Sequence, residues 1–209
     1  MTNRKRHSGF KFDLSGGALC LDFANTVSKR KIPGEICDHL TGYGDLLAFA
    51  TQSLYFPVEF ARKLAAASQF DPPAATKALE SAHKLREAIY RTFLASAEGR
   101  PATGDDLMLI QNMTIEGWKH SWLMKLGPRY GWILKRDETS QFDRVMWPIA
   151  HSAADLLTSD RLKKVKMCEA ETCAWLFLDE SRNHSRRWCD MKVCGNREKA
   201  RRHYQREHM

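Results

Sequence analysis

Residues 168–206 read CEAETCAWLFLDESRNHSRRWCDMKVCGNREKARRHYQR. Four cysteines fall into two equally spaced pairs, Cys168 with Cys173 and Cys189 with Cys194, and fifteen residues separate the pairs. Zinc favours a tetrahedron of thiolates, and two local pairs supply one with a single long loop to close. The segment is too polar to build a core from side chains alone, so the metal supplies folding energy, on the order of 10 kcal/mol for small structural sites. Four thiolates fill the coordination shell and leave no position for a reacting water, which makes the expected zinc structural. Between the pairs, WLFLD offers a short extended run and ESRNHS a polar turn, while REKARRHYQRE after the second pair has helical composition. The expected module is a zinc knuckle, a hairpin and a basic helix.

Charge is concentrated in the same region. Residues 161–209 carry 13 Lys or Arg against 7 Asp or Glu, whereas residues 1–160 carry 20 against 18. Four thiolates around one divalent cation lower the module from +6 to about +4, so its positive field survives metal binding. Such a field favours a polyanion or an acidic partner. At 100° per residue, Ala200 and Tyr204 lie apart from most of the basic positions, so these two are expected to face the knuckle and the arginines to face outward. Arg186, Arg187, Arg197, Arg201 and Arg202 form the candidate nucleic-acid surface. A solvated basic face that merely offsets the zinc-thiolate charge, and an acidic protein partner, stay open beside it.

Upstream, 43% hydrophobic residues over 209 suffice for one substantial core plus a small appendage. LCLDFANTV at 19–27 is too short for periodicity to separate helix from strand. Pro57 is placed to start a helix through VEFARKLAAA, and Asp71 with Pro72 and Pro73 starts another, whose Ala75, Leu79, Ala82, Leu85, Ile89 and Phe93 share one face up to Gly99. A further helix is expected over 105–118. Alternation of Trp122, Met124 and Leu126, then Tyr130, Trp132 and Leu134, about Gly127 predicts a β-hairpin over 121–135. Helical spacing returns in DRVMWPIAHSAADLLTS, where Pro148 either starts a helix or bends one. The fold class is mainly α with a small antiparallel hairpin, divided into a helical domain at 1–160 and the zinc module at 161–209. With no low-complexity linker between them, the module is expected to pack on the domain.

No apolar run has signal-peptide or membrane-spanning length, and paired cysteines in a reducing compartment point to metal, so the expectation is a cytoplasmic protein without membrane contact. There is no phosphate-cradling glycine loop, no HExxH, and no set of nucleophile, base and orienting group, so no enzyme is expected. Asp22 and Asn25 sit in an apolar segment and need partners. They either cap and cross-link the fold or line a small-molecule pocket.

The cysteine segment resembles the CGNR zinc-finger family, named for the tetrapeptide at Cys194–Arg197. GGALCLDFANTV, HKLREAIYRTF and WPIAHSAADLLTS resemble segments of the stress-induced transcription regulator (ABATE) domain that accompanies it. The resemblance implies that Cys168, Cys173, Cys189 and Cys194 hold zinc and that the protein is a bacterial DNA-binding regulator. Three roles follow for the rest of the signature. Gly195 allows close backbone passage or a conformation closed to larger residues. Asn196 either caps the helix or bonds the knuckle, and Arg197 either reaches DNA or ties the knuckle to Asp179 or Glu180. A single finger reads a short site, so a regulator would act as a homodimer or add a second DNA contact. The alternative class is a zinc-stapled protein-interaction or general nucleic-acid-binding module.

Overall fold

Asp71, Pro72 and Pro73 open the helix that organises the chain. In the computed structural model, which describes residues 10–135 and 141–207, α4 spans Pro72–Ala97 and the Asp71 carboxylate accepts from the Ala74 N–H. The prolines occupy the first turn, where no intrahelical N–H is needed. Ala75, Ala82, Leu85, Ile89 and Phe93 are all buried along α4 at helical spacing. Around it stand α1 (Leu19–Ala24), α2 (Tyr43–Gln52), α3 (Val58–Phe70) and α5 (Gly104–Lys119), each in contact with α4.

A sixth helix, α6 (Trp147–Leu157), packs on α1 and α5. Gly117 makes the second crossing close, since a Cβ there would lie 2.8 Å from the Trp147 Cβ. Pro148 falls in the first turn of α6 after a 3-10 turn at Phe142–Met146, so it starts a helix. Cys20 lies fully buried on α1, and burial pushes its thiol up to about 12, as befits an inert core cysteine.

The expected hairpin is present as β3 (Ser121–Leu126) and β4 (Arg129–Leu134), paired from Ser121↔Leu134 to Leu126↔Arg129. Gly127 takes φ +63 in the two-residue turn, a value that suits glycine. Alternation here marks the pleat and not a buried face. Trp122, Leu123, Met124, Leu126, Tyr130 and Trp132 are all exposed, on both sides of the ribbon.

The short strands β1 (Val27–Ser28) and β2 (Cys37–Asp38) pair antiparallel beside α4. Arg86 of α4, nearly buried, holds both Asp38 oxygens at 2.7 Å. Two further strands, β5 (Val165–Met167) and β6 (Leu176–Leu178), pair from Val165↔Leu178 to Met167↔Leu176. This corrects the expected hairpin around ESRNHS. The loop that closes β5 and β6 is the first cysteine knuckle itself, and residues 179–190 contain no strand. The pleat of β6 explains the choice: Leu176 and Leu178 enter the main core while Phe177, between them, faces the cysteines.

The cysteine segment is therefore seated on the helices. Asn25 donates its amide N–H to the Leu176 carbonyl at 2.8 Å and accepts from the Leu176 N–H at 2.9 Å. Trp175 Nε1 donates to the Val27 carbonyl, Tyr90 Oη to that of Ala174, and Lys31 Nζ to those of Cys168 and Ala170. Among the described residues no helix is long and apolar enough to cross a membrane.

Candidate metal centre and basic surface

Two turns bring the cysteines together. The Cys173 N–H donates to the Ala170 carbonyl in the first, while the Cys168 N–H donates to the Trp175 carbonyl across its base. The second turn spans Met191–Gly195 and is capped by Asp190, whose carboxylate accepts from the N–H groups of Lys192 and Val193. All four sulfurs lie within 4.8 Å of one another, with Cys173–Cys189 at 3.7 Å and Cys189–Cys194 at 3.6 Å. Zinc with four sulfurs at about 2.3 Å requires sulfur separations of about 3.8 Å, so the donor set fits that ion. All four thiols are buried and none forms a disulfide.

Four thiols this close titrate against one another. Neighbouring thiols donate to Cys168 and hold it low, whereas donation to its neighbours pushes Cys189 up. A divalent cation lets all four ionise. Further donors point at the sulfurs: Trp175 N–H reaches Cys173 Sγ at 3.5 Å and Arg197 Nη2 reaches Cys194 Sγ at 3.6 Å. His184 stays outside the cluster, bonded through Nδ1 to the Asp179 carbonyl.

Residues 164–207 match the CGNR zinc finger, and residues 17–160 match the ABATE family, whose description is "Putative stress-induced transcription regulator". The chain belongs to the ABATE family. Its cofactor is one zinc ion, which the four clustered cysteines of the CGNR finger can hold. Neither family is described as an enzyme family. No curated protein matches the chain.

In this ABATE-family protein the basic residues divide by their partners. Arg186 departs from the expected outward surface. Its Nε donates to the Trp188 carbonyl, its Nη2 to that of Cys189, and its guanidinium lies 4.6 Å from the Phe177 ring centre. Carbonyls beside a ligand cysteine need donors, and this arginine supplies them from inside the loop. Arg197 bonds Thr172 Oγ1 at 2.9 Å as well as Cys194 Sγ, and neither Asp179 nor Glu180. Arg187 pairs with Glu169 at exposed positions, while Arg201, itself exposed, pairs with the exposed Glu171 and with the buried Glu198. Arg202 Nε reaches the Glu198 carbonyl.

The last helix, α7 (Asn196–Glu207), corrects the expected inward face. Ala200 and Tyr204 are exposed, and Glu198 is its one buried residue. The Glu198 carboxylate accepts from the Glu171 N–H at 3.0 Å and from Arg201, which fixes the start of α7 on the knuckle while the rest projects beyond it. Asn196 lies within the helical path at φ −66, ψ −40, so Asp190 is the cap. Gly195 avoids positive φ; a Cβ there would meet the Met191 Sδ at 2.4 Å.

Sequence reasoning missed Lys166 and Glu198, and named Asp179 only as a partner for Arg197. Asp179 is wholly buried, yet Lys166 at 2.6 Å, Ser181 and the Arg186 N–H outweigh the cost of that burial and hold its carboxyl well below the usual range. A lone acid closing the apolar run LFLD was the available signal.

Asp22 and Asn25 border a small recess of about 210 Å³, which Asp13 and His39 also line. Both ends of the Asn25 amide are taken by Leu176, so its described role is to seat the finger. Asp22 accepts from the Gly16 N–H at 2.7 Å. Burial raises its carboxyl to about 7 against that bond, with Asp13 adding to the rise. An acid whose folded value stands above its unfolded one takes up a proton on folding, so stability falls as pH rises from about 4 to about 7. Asp22→Asn keeps an oxygen for Gly16 and removes this penalty. Urea midpoints should show the variant gaining on wild type by clearly more at pH 8 than at pH 5.

Proposed function

We propose that the protein is a cytoplasmic DNA-binding transcription regulator in which the zinc module carries the DNA contact and residues 17–160 receive a small-molecule signal. The observation that carries this reading is α7: twelve residues with Arg197, Lys199, Arg201, Arg202 and Arg206, anchored at one end by Glu198 and otherwise exposed. At about 18 Å long, such a helix fits a major groove about 12 Å wide. The exposed pairs Arg187–Glu169 and Arg201–Glu171 are each worth about 0–1 kcal/mol, so phosphates can replace these two carboxylates at little cost. Arg186 supports the surface from within by holding the second knuckle.

A module of this size covers few base pairs, so the reading includes two copies per site. To the exposed apolar hairpin β3–β4 we assign their pairing. The test is selection from a random duplex library with zinc-loaded full-length protein and an RNA competitor. Enrichment of one sequence supports a regulator. Binding without preference leaves a general nucleic-acid surface, and no binding at low salt, with cellular metabolites supplied, favours a protein-interaction module.

A further inference from the structure

The loop that follows β6 is ordered without a core. Residues 181–185, SRNHS, are all exposed and belong to neither apolar cluster. What holds them is the wholly buried Asp179. One of its carboxylate oxygens accepts from the Ser181 N–H at 3.1 Å and from the Ser181 hydroxyl, the other from the Arg186 N–H at 2.9 Å and from Lys166 Nζ. Lys166 Nζ also donates to the His184 carbonyl, and the His184 N–H donates to the Ser181 carbonyl at 3.2 Å. A buried carboxylate is costly unless it is paired and bonded in this way. His184 takes φ +47, a region that costs a residue with a Cβ free energy. The second knuckle takes its bonds from Arg186, at the far end of the loop, so the arrangement also fixes five exposed residues that the knuckle does not use. Two of them, Arg182 and Asn183, have side chains without a partner among the described residues. Glu180, the exposed acid just before them, is taken by Arg161.

This loop and α7 are moored to one stretch of chain. The loop is tied to it by the Asp179 N–H on the Lys164 carbonyl, by Lys166, and by the Glu169 N–H on the Arg187 carbonyl. Helix α7 is tied to it by Glu198 on the Glu171 N–H and by Arg197 on Thr172. The nearest moorings, 169 and 171, are two residues apart, at most about 7 Å of chain. A helix about 10–12 Å across fills a groove about 12 Å wide, so a loop standing beside its root meets the sugar-phosphate wall.

We propose that the loop at 181–185 is a second contact on duplex DNA, in which Arg182 and Asn183 grip the sugar-phosphate backbone at the wall of the groove that α7 enters. The proposal rests on the reading of α7 as the DNA-contacting helix and adds two contact residues to it. Both side-chain types are donors to phosphate oxygens, and donors carried on a fixed loop lose less freedom on binding. Asp179 and Lys166 act as positioning residues.

Fluorescence anisotropy of zinc-loaded full-length protein over a salt series tests it, on the duplex enriched from a random library and on a scrambled duplex. Arg182→Ala should make the slope of log affinity against log salt shallower by about one and weaken binding about fivefold or more at 0.1 M salt. The loss should be the same on both duplexes, because a phosphate contact carries no sequence information. Asn183→Ala should weaken both duplexes without changing the slope. Zinc content and thermal midpoint should stay near wild type, since both side chains are exposed. Lys63→Ala, at an exposed position on α3, controls for net charge and should leave the slope unchanged. Unaltered affinity in Arg182→Ala or Asn183→Ala, a loss confined to the enriched duplex, or an equal change of slope in Lys63→Ala would overturn the proposal. If wild type binds and Arg201→Ala with Arg202→Ala weakens it while Arg182→Ala does not, the loop contact falls and the reading of α7 stands; if wild type binds no duplex, both fall.

Discussion

Removing zinc, by chelation or by Cys173→Ser, should release the two cysteine segments, residues 168–175 and 179–195, while the six helices ahead of them and the β5–β6 pair stay folded. The second apolar cluster consists of Cys168, Ala170, Cys173, Phe177, Cys189 and Cys194, with Trp175 and Trp188 packed on it, and four of its six buried members are the ligands. Without the ion, four buried thiols remain with no metal to join the two turns. The apparent stabilisation lost is on the order of 10 kcal/mol, comparable with the whole stability of an ordinary domain. Val165, Leu176 and Leu178 belong instead to the main core, so β5 and β6 have their own support. Hydrogen exchange checks this directly. The amides of Cys168, Glu169 and Gly195, bonded to Trp175, Arg187 and Asp190, should lose protection, and that of Leu178, bonded to Gly16, should keep it. Unchanged exchange at the first three would contradict the structural role of the metal.

The second large effect is expected at Asn25. Asn25→Ala strands the N–H and the carbonyl of Leu176, a residue with no exposed surface. Each buried group left without a partner costs about 1–3 kcal/mol, so the variant should lose about 2–4 kcal/mol. Asn25→Asp keeps the acceptor, loses the donor and adds a buried charge, so it should lose at least as much. Urea unfolding with zinc present measures both. A loss below about 0.5 kcal/mol in either would mean that this junction does not hold the finger in place.

These residues also mark how far sequence reasoning reached. Equal spacing of two cysteine pairs pointed to the metal centre because sulfur geometry around zinc is local chemistry. Helix α4 was legible from its period and its Asp-Pro-Pro start, and the β3–β4 hairpin from alternation about Gly127. What failed depended on choices of partner across the chain. The run WLFLD was correctly read as extended, but its pairing with β5 follows from which face of β6 the helices cover. A helical wheel separates the faces of α7 without saying which is covered, and a large residue such as Tyr204 is not obliged to be inside. Glu198 was anchored instead, because the Glu171 N–H needed an acceptor. Arg186 turned inward for the same kind of reason, toward two carbonyls of its own loop. Asn25 and Leu176 stand 151 positions apart, beyond any local pattern.

The claim that joins the metal to function is that zinc presents α7 to DNA phosphates. Duplex affinity of the zinc-loaded protein, measured over a salt series for wild type and for Arg201→Ala with Arg202→Ala, tests it most directly. Each phosphate contact releases counterions, so the slope of log affinity against log salt should be shallower by about two in the double variant, with zinc content unchanged. An identical slope in wild type and variant, or failure of the zinc-loaded wild type to bind any duplex at low salt, would contradict it.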